Sequence, residues 1–175
     1  MKVWLISDTH FNHHNITTYC KRPPDFTEIL IKRWHETVQP DDLVLHLGDV
    51  MIGKKSEWIM PSLPGRKILV MGNHDRSQSA TWWMMHGFDF ACQGLVFRNV
   101  WLTHEPSNSL AGGCDLNVHG HLHNFQAEVH PNYKPKSFHR LFAVEYTDYR
   151  PVEFDKFISH PDRYQANIFA RNPTL

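Results

Sequence analysis

The chain has 175 residues and a formal net charge of zero, because 18 basic side chains balance 18 acidic ones. This balance excludes a global basic field that would attract nucleic acid or an anionic membrane surface. No stretch approaches the ~20 consecutive apolar residues of a membrane-spanning helix, so we expect no membrane association. A chain of this length buries about 70% of its unfolded surface on folding, and we predict one domain over residues 1–175.

The cysteine and histidine content indicates the cellular compartment and the kind of site to expect. An odd number of cysteines without CxxC spacing favours reduced thiols and a cytoplasmic protein. The three are Cys20, Cys92 and Cys114. The apolar start of the chain is too short for a signal peptide. Fourteen histidines are a first compositional indication of metal chemistry, because imidazole is a common metal ligand.

The first half of the chain alternates between predicted strands and helices. Short apolar runs between glycine, proline and polar residues predict strands, and the run before Gly72 is typical of a strand buried on both faces. Phe26, Leu30 and Trp34 recur near a 3.6-residue period, which predicts an amphipathic helix. The predicted strands cover residues 2–6, 43–47 and 67–71, and the predicted helices cover residues 25–38, 56–60 and 79–86.

The second half is richer in strand signals. Partial alternation with turn residues predicts two or three strands within residues 88–103, followed by a loop over residues 105–115. Further strands are predicted at residues 116–118 and 140–146, and a helix is predicted to begin at Pro151. Alternating strands and helices followed by this strand-rich part predict an α/β layered fold with mixed sheets.

Ligand-type side chains follow five of the apolar segments. They are Asp8 and His10, then Asp49, then Asn73, His74 and Asp75, then His104, and finally His121 and His123. Strand ends at one edge of an α/β sheet form ligand sites, and residues two apart project to the same side of an extended segment. Any single member has an ordinary explanation as a turn, a cap or a hydrogen-bonded histidine. The five together predict a metal site.

In combination, these motifs resemble those of the calcineurin-like metallophosphoesterase superfamily. The chain contains DxH, GD, GNHD, a later His and GHxH, in that order, between Asp8 and His123. Their contexts look most like those of the small single-domain bacterial and phage members. The resemblance implies an α/β (α+β) fold, a four-layer α/β/β/α sandwich with mixed sheets, and a dinuclear metal site at the strand ends.

The resemblance also implies a role for each motif residue. Asp49 would bridge two divalent metal ions, for which the oxygen and imidazole donors suit Mn, Fe or Zn, with Mn favoured. His74 would act as a general acid or orient the phosphate, with Asp75 as its partner. The implied ligands of one metal are Asp8, His10, Asp49 and His123, and those of the other are Asp49, Asn73, His104 and His121.

The implied function is metal-dependent hydrolysis of phosphate esters by a bridging hydroxide. Phosphodiesters are slightly favoured over phosphomonoesters because such open sites have no built-in lid, and nucleotides and nucleic acids are among the candidate substrates. The segment after Asp49 lacks the arginine of the serine/threonine protein phosphatases, which disfavours that activity. The alternative is a non-catalytic metal-binding scaffold of the same fold that recruits a partner.

Other polar residues near the motifs have simpler interpretations. Arg22, Arg76 and His14 are interpreted as solvated surface residues, although a phosphate contact is an open alternative for the last two. His46 and His119 lie within predicted strands just before a glycine, and we interpret them as packing or supporting side chains.

Overall fold

The structure, a computed structural model, describes residues 1–53, 56–124 and 134–160, so the predicted domain of residues 1–175 extends beyond the described part. The strands are β1 (Val3–Ile6), β2 (Leu43–His46), β3 (Arg66–Val70), β4 (Phe90–Cys92), β5 (Leu95–Phe97), β6 (Val100–Thr103), β7 (Leu116–His119), β8 (His139–Leu141) and β9 (Val152–Glu153). The helices are α1 (Ile16–Tyr19), α2 (Phe26–Thr37), α3 (Ile59–Ser62), α4 (Ala80–Met85) and α5 (Phe154–Ser159).

The first sheet has the strand order β4-β3-β2-β1-β9. Strands β1 to β4 pair in parallel, and only β9 runs antiparallel to its neighbour, pairing with β1. Every residue of β1 is buried, as expected for a parallel strand covered on both faces. Since the central strands are parallel, their carboxyl ends lie at one edge of the sheet.

The second sheet has the order β5-β6-β7-β8, with β6, β7 and β8 parallel and β5 antiparallel to β6. One cluster of buried side chains includes residues of both sheets, such as Leu5 and Leu45 from the first and Leu102 and Val118 from the second. The two sheets therefore share a core, and the predicted mixed α/β sandwich is confirmed. No helix among the described residues has the length and apolar character needed to cross a membrane.

The N-terminal elements agree with the predicted ones to within a few residues, but the C-terminal ones differ. The predicted strand over residues 140–146 is wrong after Leu141. The chain turns there through a 3-10 segment, Val144–Tyr146, in which the Tyr146 N–H donates to the Ala143 carbonyl. The helix predicted to begin at Pro151 begins at Phe154, because Val152 and Glu153 pair with β1 instead.

Candidate metal centre

The candidate site lies where the carboxyl ends of both sheets meet. Asp8 follows β1, Asp49 follows β2, His104 follows β6 and His121 follows β7. Backbone hydrogen bonds hold these loops in register, from the Asp8 N–H to the Gly48 carbonyl at 2.9 Å and from the Gly120 N–H to the His104 carbonyl at 2.9 Å. The His121 N–H donates to the Asp8 carboxylate at 3.1 Å, which joins the two sheets directly at the site.

One group of ligand-type side chains consists of Asp8, His10 and His123, which offer donor atoms within 4.8 Å of one another. The His123 Nε2 atom lies 3.5 Å from Asp8 Oδ1. Both ring nitrogens of His10 are buried, and neither has a hydrogen-bond partner among the described residues. Buried polar atoms normally have partners, and a metal ion is a fitting partner for Nε2, the His10 nitrogen that lies 3.6 Å from Asp49 and 3.9 Å from Asp8. We call these three residues the first cluster.

A second cluster consists of Asp49, His104 and His121, again with donor atoms within 4.8 Å of one another. The His104 Nε2 atom lies 3.0 Å from Asn73 Oδ1, 3.2 Å from His121 Nδ1 and 3.3 Å from Asp49 Oδ2. The His104 Nδ1 atom faces the Leu47 carbonyl at 2.7 Å and must carry the ring proton to donate to it. Nε2 is therefore the ring nitrogen left for a metal ion, and it is the one that points at Asn73, His121 and Asp49.

Asp49 faces both clusters. Its Oδ2 atom lies 3.6 Å from His10 Nε2 and 3.3 Å from His104 Nε2. A carboxylate in this position suits a bridging ligand. The two clusters together offer carboxylate, amide and imidazole donors without a thiolate, a set that suits Mn, Fe or Zn. The structure thus brings the seven residues predicted as metal ligands together.

Asp49 and His104 in the second cluster shift each other's pKa. Burial alone would raise the pKa of Asp49, but its hydrogen bond with His104 and the nearby His10 hold it well below its usual range. Burial would lower the pKa of His104, but Asp49 and Asp8 raise it to about 9. The carboxylates therefore favour a positive charge next to Asp49, carried by the proton of His104 or by a cation that replaces it.

His74 lies beside both clusters rather than within one. Its backbone N–H donates to Asp49 Oδ1 at 3.0 Å, and its ring atom Nε2 lies 3.9 Å from Asp49 Oδ2. The side chain is 45% exposed, whereas that of Asp49 is 3% exposed. An imidazole in this position can reach a substrate that approaches the clusters from solvent.

Asp75 has a different set of contacts from the one predicted. Its Oδ2 atom accepts hydrogen bonds from the N–H groups of Asp49 at 2.7 Å and Gly72 at 2.8 Å, and its Oδ1 atom accepts one from Val50 at 3.0 Å. Burial raises its pKa to about 6 against the effect of these hydrogen bonds. The carboxylate therefore fastens the loop after β2 to the loop after β3, instead of orienting the ring of His74.

The interpretation of Arg22 as a surface residue is wrong. Its guanidinium is buried and donates to Glu145 Oε1 at 2.7 and 2.9 Å and to the backbone carbonyls of Asp8 and Thr9 at 2.7 and 3.0 Å. Glu145 was not among the predicted site residues, and its Oε1 atom also lies 3.3 Å from His123 Nδ1. A buried arginine next to a predicted histidine ligand has no local sequence signal.

The remaining residues near the motifs agree with their interpretations. Arg76 forms an exposed ion pair with Glu105 at 3.3 Å, and His14 is exposed. His46 is buried, accepts from the Gly48 N–H at 3.1 Å through Nδ1, and lies 3.0 Å from Thr9 Oγ1 through Nε2. Burial lowers its pKa to about 3, and burial does the same to His119.

The backbone at the site is unusual. Five of the seven predicted ligands have a positive φ, in the left-handed region that side chains with a Cβ atom rarely adopt. They are Asp8 (53°), His10 (46°), Asp49 (55°), His121 (69°) and His123 (48°). Two glycines pack directly against these loops. A Cβ atom at Gly72 would clash with the Asp49 carboxylate and one at Gly120 with the Asp8 carboxylate, so both positions require glycine.

Comparisons with known proteins agree with this geometry. The family model for calcineurin-like phosphoesterases matches residues 1–173. The uncharacterized protein MJ1445 of Methanocaldococcus jannaschii is 32% identical over 166 residues, which are 90% of this chain and 89% of that protein. The Gene 66 protein of Mycobacterium phage L5 is 35% identical over 80 residues, 41% of this chain and 39% of that protein. The crystal structure of AQ665, a protein of unknown function from Aquifex aeolicus, matches with a TM-score of 0.70 and 26% identity, over 90% of this chain and 98% of that one.

Proposed function

The chain belongs to the calcineurin-like phosphoesterase family, and on that premise we propose that it hydrolyses phosphate esters with two divalent metal ions, Mn favoured. The observation that carries the proposal is the pair of ligand clusters, with Asp49 of the second cluster also facing His10 of the first and the exposed imidazole of His74 beside them. Asp8, His10, Asp49 and His123 would hold one ion, and Asp49, Asn73, His104 and His121 the other. Bound there, the ions would supply activated water and neutralise charge on the phosphoryl oxygens.

His74 is the group that we expect to move a proton. The hydrogen bond from its backbone N–H to Asp49 Oδ1 keeps the residue beside this carboxylate, while the ring remains open to solvent. From this position the imidazole would donate a proton to the oxygen of the leaving group, or stabilise charge on the phosphoryl group. Asp75 would act on the same step indirectly, because it holds the backbone of Asp49 and of the loop before His74.

We favour phosphodiesters over phosphomonoesters as substrates. A cavity of about 130 Å³ lies next to His74 and is lined in part by Met51, Trp82 and Trp83. The organic group of a diester that stays on the phosphate would have room and apolar contact there, while His74 would protonate the oxygen of the group that leaves. Nucleotides and nucleic acids belong to this class. Free thiols at Cys20, Cys92 and Cys114 are consistent with a cytoplasmic setting.

The test uses metal-free protein reloaded with Mn, Fe, Zn or Mg and a panel of phosphate mono- and diesters, including bis-p-nitrophenyl phosphate. We expect the reloaded protein to hydrolyse at least one diester. The variant H74A should lose about 10²–10⁴-fold in rate while keeping the same metal content. The control H35A changes an exposed histidine of α2 and should retain full activity.

Two results would count against the proposal. If no metal restores hydrolysis of any ester while two ions bind, the chain is a metal-binding scaffold. If H74A hydrolyses the diester as fast as the unchanged protein, His74 has no part in proton transfer.

A further inference from the structure

Arg22 and Glu145 form a buried ion pair behind the first cluster. The side chain of Arg22 is 0% exposed and that of Glu145 is 5% exposed. Two atoms of the guanidinium, Nε and Nη2, donate to the same carboxylate oxygen, Oε1. Burying two charges is costly unless further hydrogen bonds satisfy them, and replacement by apolar side chains is often neutral or stabilising. Overall stability is therefore a weak reason for a pair at this place.

The other contacts of the pair go to the segments that carry the first cluster. Arg22 donates to the carbonyls of Asp8 and Thr9 at 2.7 and 3.0 Å, which are the backbone of the DxH loop. Glu145 Oε1 lies 3.3 Å from His123 Nδ1. The pair thus contacts the segment of two of the cluster's ligands and the ring of the third.

The direction of the His123 ring follows from these contacts. Its Nε2 atom faces Asp8 at 3.5 Å and is the atom available to a metal. A neutral imidazole that binds metal through Nε2 carries its proton on Nδ1, where Glu145 is the acceptor. The Nη2 atom of Arg22 lies farther from Nδ1, at 3.5 Å. The same atom donates to Glu145 Oε1 and thereby keeps the carboxylate charged and in place.

The two clusters differ in this support. In the second cluster the ring of His104 donates to a neutral carbonyl, that of Leu47. In the first cluster the Nδ1 atom of His123 faces a carboxylate oxygen, Glu145 Oε1, at 3.3 Å. A carboxylate behind a histidine ligand fixes its tautomer and makes the ligand nitrogen more basic, and removing such a partner costs about 10–100-fold in metal affinity.

A third metal site is the competing explanation for this region. Cys20, His123 and Glu145 offer donor atoms within 4.8 Å of one another. The guanidinium of Arg22 binds Glu145 Oε1 at 2.7 Å and neutralises this carboxylate, so an ion there would have only Oε2, which is buried without a hydrogen-bond partner among the described residues. Positive charge is thus supplied by the chain itself, and Cys20 acts as a buried neighbour.

We propose that Arg22 and Glu145 are positioning residues that hold His123 as a metal ligand and make the first cluster the tighter of the two metal sites. The inference rests on the metal centre of the proposed function and not on hydrolysis. It adds an order of loading to that centre, in which the ion at Asp8, His10 and His123 binds first.

The test is a Mn²⁺ titration of metal-free full-length protein, followed by calorimetry, with unfolding in urea measured on the same samples. The unchanged protein should bind two ions with distinct dissociation constants. The variant E145Q keeps the size of the side chain but loses its charge, and it should weaken the tighter site by about 10–100-fold while the weaker site stays the same. The variant E145D, which keeps the charge on a shorter side chain, should give an intermediate loss at the tighter site and serves if E145Q does not fold.

The matched control is E36Q, which removes an exposed glutamate that pairs with Arg33 on α2, and it should change neither constant. Unchanged constants in E145Q, or equal weakening of both sites, would overturn the inference. Binding of a third Mn²⁺ that E145Q and C20A both abolish would establish the competing metal site instead. If the unchanged protein binds no metal, the proposed function fails before this inference is reached.

Discussion

The buried neutral histidine at position 46 makes the stability of the chain depend on pH in a way that can be calculated. The Nδ1 atom accepts from the Gly48 N–H, so the proton lies on Nε2 and is donated to Thr9 Oγ1, whose hydroxyl in turn donates to the Val50 carbonyl. Every polar atom in this chain of hydrogen bonds is matched with a neutral ring. A second proton on the ring would have no acceptor there.

The sign and size follow from linkage. Burial lowers the pKa of His46 from 6.5 to about 3 in the folded state, so the unfolded chain binds more protons between these values. Stability from this residue is therefore fully present above pH 6.5 and is lost as the pH falls towards 3. Between pH 7.0 and pH 5.5 the protonation of the unfolded residue costs about 1.2 kcal/mol of unfolding free energy.

The assay compares urea unfolding of metal-free protein at pH 7.0 and pH 5.5, followed by tryptophan fluorescence. Other groups titrate in the same range, including Asp75, whose raised pKa acts in the opposite direction. The useful quantity is therefore the difference between the unchanged protein and H46Q. The variant should lose about 1.2 kcal/mol less stability on acidification. The control H35Q, in an exposed histidine, should leave the pH effect as it is, and an identical pH effect in H46Q would refute the reasoning.

Three further predictions concern the metal centre. In G120A the new Cβ atom clashes with the Asp8 carboxylate, so we expect the first cluster to bind Mn²⁺ at least roughly tenfold more weakly in a titration. An unchanged dissociation constant would contradict this close packing. The variant D75A uncovers three backbone N–H groups around Asp49 and should weaken both sites, and an effect on a single site would show that Asp75 does not act through the shared carboxylate. Removing the metals with a chelator should lower the unfolding free energy by about 2.7 kcal/mol for each site at which the free metal concentration had been about 100 times the dissociation constant. A melting temperature that is the same with and without Mn²⁺ would exclude a resident ion.

Local patterns predicted most of the first sheet. Short apolar runs that end shortly before a carboxylate, Asp8 after Ser7 and Asp49 after Gly48, mark the parallel strands β1 and β2, and nearly all of their residues are buried. The convergence of the predicted ligands also follows from local information, since parallel strands place their carboxyl ends at one edge. Asp8, Asp49 and Asn73 needed no knowledge of distant contacts.

Contacts between distant segments were beyond local patterns. Arg22 and Glu145 are separated by 123 positions, and neither segment shows a periodicity or motif that pairs them. The same reason explains the strand predicted over residues 140–146. Its apolar composition is that of a strand, but the 3-10 turn at Val144–Tyr146 brings Glu145 to Arg22, and that gain depends on tertiary contacts. The role of Asp75 was missed because adjacency to His74 suggested a partner, whereas the chain folds its carboxylate onto backbone N–H groups.

The left-handed backbone of the metal-binding loops has a consequence for protein engineering. A residue with a Cβ atom in that conformation costs about 1 kcal/mol or more relative to glycine, and five ligand positions carry this cost. Selection for thermal stability alone would therefore move positions such as His10 towards glycine and away from metal binding. In metal-free protein H10G should unfold at a higher urea concentration than H10A, which would show that these loops exchange stability for function.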